Sequence, residues 1–157
     1  LIGVLSGSRD ILQPLSKFNL TANTFSAQPA ESAASMSEAL PFKQIKTSAE
    51  LDALIRQSQG RYVMIDFYAD WCISCKEMER FTFTDPQVRE RLKNVELVQI
   101  NVTEGTADDA ELLKRFRLFG PPGILFFDKQ GVEIPDIKII GYLDKKDFVT
   151  VLDAILL

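Results

Sequence analysis

Residues 62–75 read YVMIDFYADWCISC, and this stretch decides how the rest of the chain is interpreted. Its first eight residues are almost all apolar and rich in strand-forming types, which is typical of a buried central strand. One residue does not suit that position, because Asp66 lies in the middle of the run. The stretch ends in Cys72 and Cys75, the only two cysteines of the chain, directly after Trp71, its only tryptophan. A buried strand therefore leads straight into a pair of thiols.

The cysteine spacing predicts a reactive dithiol. A separation of three residues at the start of a helix places both sulfurs on one face, close enough to form a disulfide. The first sulfur lies at the helix N-terminus, where unpaired N–H groups and the helix dipole favour a thiolate. The thiolate is the attacking species in disulfide exchange. We therefore predict that Cys72 is the nucleophile and that Cys75 is the resolving thiol.

Three other interpretations of the pair are less favoured but stay open. Structural zinc takes four ligands, and this chain offers two sulfurs and no histidine, so a zinc site would have to be shared between two chains. A structural disulfide would close too small a loop to stabilise the fold much. An inert pair of core cysteines is the third, and Asp70 and Trp71 argue against it because they indicate a surface segment.

Two carboxylates are candidate proton-handling groups. A charge on Asp66 inside an apolar strand costs several kcal/mol unless it is paired or neutralised, so we expect a raised pKa there. Glu79 follows Cys75 by four residues and lies on the same helical face, although an ordinary solvated helix residue is the alternative. Together the two acids would handle protons as Cys75 leaves or attacks, and their charge would raise the pKa of the thiols.

The composition excludes several function classes. The net charge is −4 and no block of Lys and Arg exists, which argues against nucleic acid as a partner. The absence of histidine excludes Cys–His and Ser–His–Asp catalysis as well as a C-x-x-C-H haem site. Catalysis by this chain would therefore run on thiols, carboxylates, amines or phenols.

The chain divides near residue 40. Residues 1–40 carry only five charged side chains, and residues 20–39 are rich in Ser, Ala and Thr, so we predict a largely flexible leader, with a short helix around 31–39 as an option. Its opening LIGVL is far shorter than the ~20 apolar residues that span a bilayer and lacks the charged start of a signal peptide. The end of a membrane helix remains an alternative. We place the folded domain at 41–157.

The pattern after residue 40 predicts the order β-α-β-α-α-β-α-β-β-α, which indicates an α/β fold with a mixed central sheet and helices on both faces. The predicted strands are 41–47, 62–69, 95–102, 123–127 and 137–142. The predicted helices run from a capping box at Thr47 and Glu50 to about 57, from the first cysteine to about 81, over 86–92, over 108–116, and from a cap at Asp144 with an apolar face of Phe148, Val151, Leu152 and Ile155.

The loop GPPG at 120–123 precedes a strand, and Pro122 is a candidate cis-proline at the loop-to-strand junction. A trans loop proline is the alternative. With WCISCK and an aspartate six positions before Cys72, this proline makes the chain similar to the thioredoxin superfamily. YADWCISCKEME, FTFTDPQV and PPGILFFD resemble more closely the C-terminal periplasmic domains of the DsbD family of thiol:disulfide interchange proteins, over about 42–156. SGSRDILQPL in the leader also resembles the stretch after that family's last membrane helix.

The resemblance implies a thioredoxin-like fold and a protein-disulfide reductase, in the periplasmic domain of a bacterial inner-membrane protein. The redox-active Cys72–Cys75 disulfide would serve without a further cofactor or metal. The implied electron donor is the membrane-embedded redox domain of the same protein, and the implied acceptor is its N-terminal periplasmic domain, which serves disulfide isomerisation and cytochrome c biogenesis. We expect the isolated domain to be a monomer.

The resemblance also implies residue roles and shows two departures. Asp66 and Glu79 match the acids that tune the thiols. The expected partner-binding residues are Trp71, Ile73, Ser74 and Pro122. The pair between the cysteines is Ile-Ser where thioredoxin has Gly-Pro, so thioredoxin's potential cannot be carried over. Pro121 has no backbone N–H to donate to a partner strand.

Two other functions stay open at this point. The first is a free-standing thioredoxin-like reductase with many substrates, and the leader argues against it. The second is a redox-inactive binding or chaperone module, and the presence of both cysteines argues against that.

Overall fold

A computed structural model of the protein describes residues 39–156. Its strands are β1 (Lys43–Ile45), β2 (Val63–Tyr68), β3 (Glu96–Asn101), β4 (Gly123–Phe127) and β5 (Glu133–Ile140). Its helices are α1 (Ser48–Gln57), α2 (Ile73–Glu77), α3 (Pro86–Leu92), α4 (Ala107–Arg115) and α5 (Lys145–Ile155), and a π-helical segment, Met78–Thr82, continues α2. The predicted order of elements is confirmed.

The five strands form one mixed sheet in the order β1-β3-β2-β4-β5. β3 lies parallel to both β1 and β2, whereas β4 is antiparallel to β2 and to β5. β2 is therefore a central strand, with Asp66 paired to Gln99 on one side and to Ile124 on the other. The predicted mixed sheet is confirmed.

Helices cover both faces of the sheet, and successive side chains of β2 point to opposite faces. Ile65 and Phe67 belong to the apolar cluster that α1 and α4 cover, whereas Met64 belongs to the cluster beneath α3 and α5. The same alternation places Asp66 on the Met64 face, within an otherwise apolar interior. This burial underlies the chemistry of the site.

Helix starts agree with the sequence because their caps are local. The side chain of Thr47 accepts from the backbone N–H of Glu50, and the Glu50 carboxylate accepts from the backbone of Thr47, as in a capping box. Asp85 caps α3 ahead of Pro86, because its carboxylate accepts from the backbone N–H groups of Gln87 and Val88. The predicted end of α1 is confirmed: the helix ends at Gln57, and Gly60, with a φ of +92°, belongs to the turn that follows.

The helix that carries the cysteines differs from the prediction. It is α-helical only to Glu77 and then widens into the π-helical segment Met78–Thr82. Two buried side chains hold that segment to the chain before α5: Thr82 Oγ1 donates to the carbonyl oxygen of Leu143 at 2.6 Å, and Met78 Sδ accepts from its N–H at 3.3 Å. These long-range contacts replace the regular turn that helical periodicity predicts.

β5 also differs, since it spans Glu133–Ile140 where the sequence predicted 137–142. Proline usually argues against a strand, and Pro135 lies in the first half of β5, which the prediction left out. β5 is an edge strand of the sheet, where a residue without an N–H donor is tolerated.

Within the described part of the chain, no helix is both long and apolar enough to cross a membrane. The leader, its optional helix and its apolar opening fall almost wholly within residues 1–38, outside the described residues. The division at residue 40 therefore stays a prediction.

Candidate redox site

The two cysteines form a disulfide at the start of α2, with their Cα atoms 5.3 Å apart. Cys72 is the N-cap residue, and its sulfur accepts a hydrogen bond from the backbone N–H of Cys75 at 3.1 Å. A helix N–H aimed at this sulfur would stabilise its thiolate after reduction. Both residues are buried, Cys72 at 6% exposure and Cys75 at 3%.

The inner side of the disulfide rests on the end of β2. Cys75 Sγ lies 3.9 Å from the carbonyl oxygen of Phe67, and the N–H of Cys72 donates to the carbonyl of Ala69 at 3.1 Å. Phe67 pairs with Gly123, the first residue of β4. The peptide bond between Pro121 and Pro122 is cis, and Pro122 is buried just before that pair. The predicted proline therefore lies next to the start of β4, where that strand meets the end of β2 that leads to the dithiol.

The surface around the disulfide is apolar. Trp71 and Ile73 are 62% and 75% exposed, as expected of contact residues, and Ser74 is half-buried between the cysteines. Sequence reasoning missed Phe119, which is fully exposed directly before the cis-proline loop. It also missed Tyr142, which follows Gly141, whose N–H donates to the carbonyl of Pro122. Both aromatic side chains lie on segments next to Pro122, a placement that follows only from the folded structure.

The loop after β3 holds the tryptophan, which the sequence did not predict. The indole N–H of Trp71 donates to the carbonyl of Thr103 at 3.3 Å, and the backbone N–H of Asp70 donates to Thr103 Oγ1 at 2.9 Å. The hydroxyl and backbone N–H of Thr103 in turn donate to the side-chain oxygen of Asn101. These bonds fix the segment that enters the dithiol.

Asp66 is buried as predicted, at 4% exposure, and the Gln99 amide donates to its Oδ2 at 3.1 Å. Burial raises the pKa of Asp66 from 3.8 to about 7. The hydrogen bond from Gln99 opposes that rise, and the charge of Glu79 adds to it. The expected raised pKa is confirmed, and Gln99 is a contributor that the sequence did not reveal.

Glu79 lies on the π-helical segment with an exposed side chain. Partial burial raises its pKa, the Gln99 amide and Lys76 lower it, and Asp70 raises it. Burial, Glu79 and Asp70 likewise raise the pKa of Tyr68 at the end of β2. The structure thus brings both predicted acids into one electrostatic cluster.

Residues 39–156 contain no group of three or more His, Cys, Asp or Glu side chains that could hold a metal ion.

Comparisons with known proteins agree with this geometry. A family model described as a thioredoxin-like domain matches residues 51–156. The C-terminal domain of DsbD from Neisseria meningitidis, in the oxidised form, is 31% identical with a TM-score of 0.61, over 72% of this chain and 99% of that domain. The chain belongs to the DsbD family of thioredoxin-like domains.

The sequence relatives carry the same name. The thiol:disulfide interchange protein DsbD of Ralstonia nicotianae is 47% identical over 90% of this chain, and that of Escherichia coli K12 is 48% identical over 69%. The chain spans about a fifth of these relatives, 22% and 19% of their length. As a DsbD-type domain it is a thiol-disulfide oxidoreductase whose redox pair is Cys72 and Cys75.

Proposed function

We propose that this domain relays electrons between two other redox domains of one larger protein. Its dithiol accepts electrons from a membrane-embedded domain and passes them to an N-terminal periplasmic domain, which places it on the periplasmic side of a bacterial inner membrane. The observation that carries the proposal is a helix-capping disulfide, backed by a buried acid, in a chain that matches DsbD C-terminal domains. The remaining length of the relatives supports it by leaving room for both partner domains.

The exchange needs no group beyond the two sulfurs. In the reduced domain, the Cys72 thiolate attacks a sulfur of the acceptor disulfide, forms a mixed disulfide and releases one acceptor thiolate. Cys75 loses its proton and attacks Cys72, which releases the second acceptor thiolate and restores the intramolecular disulfide. Two electrons pass to the acceptor, whose thiolates take up two protons. The same steps in reverse, from the donor dithiol, reduce the domain again.

Each site residue has a role in this scheme. The N–H of Cys75 stabilises the Cys72 thiolate, because it already points at that sulfur in the disulfide. Asp66 and Glu79 hold and return the proton that Cys75 loses, and a pKa of about 7 leaves Asp66 partly ionised at neutral pH. Their negative charge also raises the pKa of the thiols, which slows attack on unselected disulfides.

The apolar rim supplies partner contact. Trp71 and Ile73 flank the cysteines and are largely exposed, so a partner can cover them at the moment of exchange. Ser74 and Pro122 complete this surface next to the sulfurs. Because Pro121 offers no backbone donor, side-chain contacts carry more of the recognition here than a partner strand would.

A trapping experiment tests the relay. Cys75→Ser removes the resolving thiol, so the Cys72 adduct with each partner becomes a stable mixed disulfide, identified by mass spectrometry from a periplasmic extract. We expect one dominant partner that is itself a redox domain. The double variant Cys72→Ser/Cys75→Ser is the matched control and should trap nothing. A broad spread of secreted proteins would make this a general reductase, and the absence of adducts would contradict exchange altogether.

A further inference from the structure

A line of three polar side chains crosses the sheet from its edge to the buried acid. Gln44 of β1 pairs with Gln99 of β3, and Gln99 pairs with Asp66 of β2. Gln44 Nε2 donates to Gln99 Oε1 at 2.7 Å, and Gln99 Nε2 donates to Asp66 Oδ2 at 3.1 Å. The register of two parallel strand pairs thus creates a continuous line of hydrogen bonds from Gln44 to Asp66.

This line of hydrogen bonds has a direction, from donor to acceptor. A glutamine amide has one oxygen that accepts and one nitrogen that donates, and the two lie on opposite sides of the group. Because Gln44 occupies the oxygen of Gln99, the nitrogen of that amide faces Asp66. The reverse orientation would place a carbonyl oxygen against the carboxylate. With Gln44 as the donor to Oε1, the acid meets the nitrogen end of Gln99.

Burial increases along this line of hydrogen bonds, from Gln44 to Asp66. Gln44 is exposed on the short edge strand β1, whereas Gln99 is 7% exposed and Asp66 is 4% exposed. A buried amide with both ends occupied has little freedom to turn, because each lost hydrogen bond would leave an unsatisfied polar group. The orientation that Gln44 selects is thereby kept at the buried end.

We propose that Gln44 and Gln99 are positioning residues of the redox site: Gln44 orients the Gln99 amide, and this amide favours the carboxylate form of Asp66. They act on exchange through the acids that the Gln99 amide affects, Asp66 and Glu79, so their role in turnover rests on the proposed function. Their effect on Asp66 itself does not.

The surroundings of Asp66 contain no other favourable partner among the described residues that act on it. Glu79, from the π-helical segment, raises its pKa, and β4 contributes the apolar Ile124 at the paired position. Tyr68, further along β2, is itself affected by the charge of Asp66. Burial pushes the carboxyl toward its neutral form, and the amide of Gln99 is the one hydrogen-bond donor that opposes it. Loss of the direct hydrogen bond should therefore raise the pKa of Asp66.

The first test removes the donor. Gln99→Leu in the oxidised protein should raise the titration midpoint of Asp66 by about one to two pH units, since a hydrogen bond to a charged group is lost. The midpoint is read from the ¹³C shift of the Asp66 side-chain carboxyl by NMR, which also reports whether the variant folds. An unchanged midpoint in a folded variant would overturn the proposal. This readout needs no partner, so it succeeds or fails independently of the relay.

The second test reverses the direction of the hydrogen bonds by changing Gln44, which is exposed, so that the risk to folding is smallest. In Gln44→Glu the new carboxylate only accepts, so Gln99 must turn and present its oxygen to Asp66, and the midpoint should rise by about one pH unit. In Gln44→Lys the side chain only donates, so the orientation and the midpoint should stay close to wild type.

Lys46→Glu is the matched control for charge. It lies next to β1, is exposed, and changes the charge by two where Gln44→Glu changes it by one. A midpoint shift well below that of Gln44→Glu would support orientation as the cause. Equal or larger shifts in Lys46→Glu would assign the effect to long-range charge and overturn the role of Gln44.

Discussion

Two buried acids on neighbouring strands of this sheet have opposite surroundings. Glu96, at the start of β3, is 5% exposed and meets two cations: Lys43 Nζ lies 2.6 Å from its Oε1, and Arg61 Nη1 lies 2.9 Å from its Oε2. Asp66, in the middle of β2, is 4% exposed and meets one neutral amide, that of Gln99. Equal burial therefore comes with two different solutions.

The difference separates a structural acid from a reactive one. A buried carboxylate between cations ties neighbouring segments to each other. A buried carboxyl without a cation changes its protonation state near neutral pH, which is useful only where protons move. The paired acid lies at the amino end of its strand, whereas β2 leads from the unpaired acid directly into the dithiol.

The largest effect should come from the sulfur at the reactive end. Cys72→Ser is expected to reduce exchange to background, because the remaining buried thiol has no helix N–H aimed at it. The rate is measured with pre-reduced protein and a synthetic disulfide peptide. Glu96→Gln is the control at the structural end and should retain exchange. Turnover by Cys72→Ser would move the nucleophile to Cys75.

Asp66→Asn should change the pH dependence of stability. The folded protein holds a proton on Asp66 up to about pH 7, whereas the unfolded chain loses it near pH 4. The free energy of unfolding of the wild type therefore falls as the pH rises between these values and then levels off. The variant lacks this loss, so it should be more stable than wild type at pH 8, by on the order of 3 kcal/mol, and similar at pH 4.

Urea denaturation at pH 4, 6 and 8 measures this difference. Glu90→Gln, on the exposed face of α3, is the control, and its free energy of unfolding should differ from that of wild type by the same amount at each pH. A constant gap between Asp66→Asn and wild type at all three pH values would show that the pKa of Asp66 is the same in the folded and unfolded states. The same variant, when reduced, should show a lower thiol pKa for Cys72 in alkylation rates, because a nearby negative charge is gone.

The smallest effect concerns the paired acid. Glu96→Gln should lower the free energy of unfolding by about 1–2 kcal/mol, since its two cations are more than half exposed and recover most of their hydration. The exposed pair of Glu90 and Lys93 offers the comparison, and Glu90→Gln should cost less than about 0.5 kcal/mol. Equal losses in the two variants would mean that burial adds nothing to the ion pairs of Glu96.

Local chemistry made much of the molecule predictable. The capping box that starts α1 needs only Thr47 and Glu50, which lie three residues apart. The apolar run that forms β2 likewise indicates a buried strand by its own composition. The change from strand to helix placed Cys72 at a helix N-terminus, and the i, i+3 spacing placed Cys75 on the same face. The errors occurred where distant residues intervene, as at the π-helical segment, which Leu143 holds from 61 residues away.

What the sequence by itself determined is the reactive group, a dithiol at a strand–helix junction with an improbable acid before it. Only the tertiary structure decided what surrounds that acid. Gln44 and Gln99 lie 55 residues apart in the chain and meet because β1 and β3 pair in one particular register. Strand register depends on the burial of whole faces of the sheet and not on any short stretch, so no local pattern could place those amides beside Asp66.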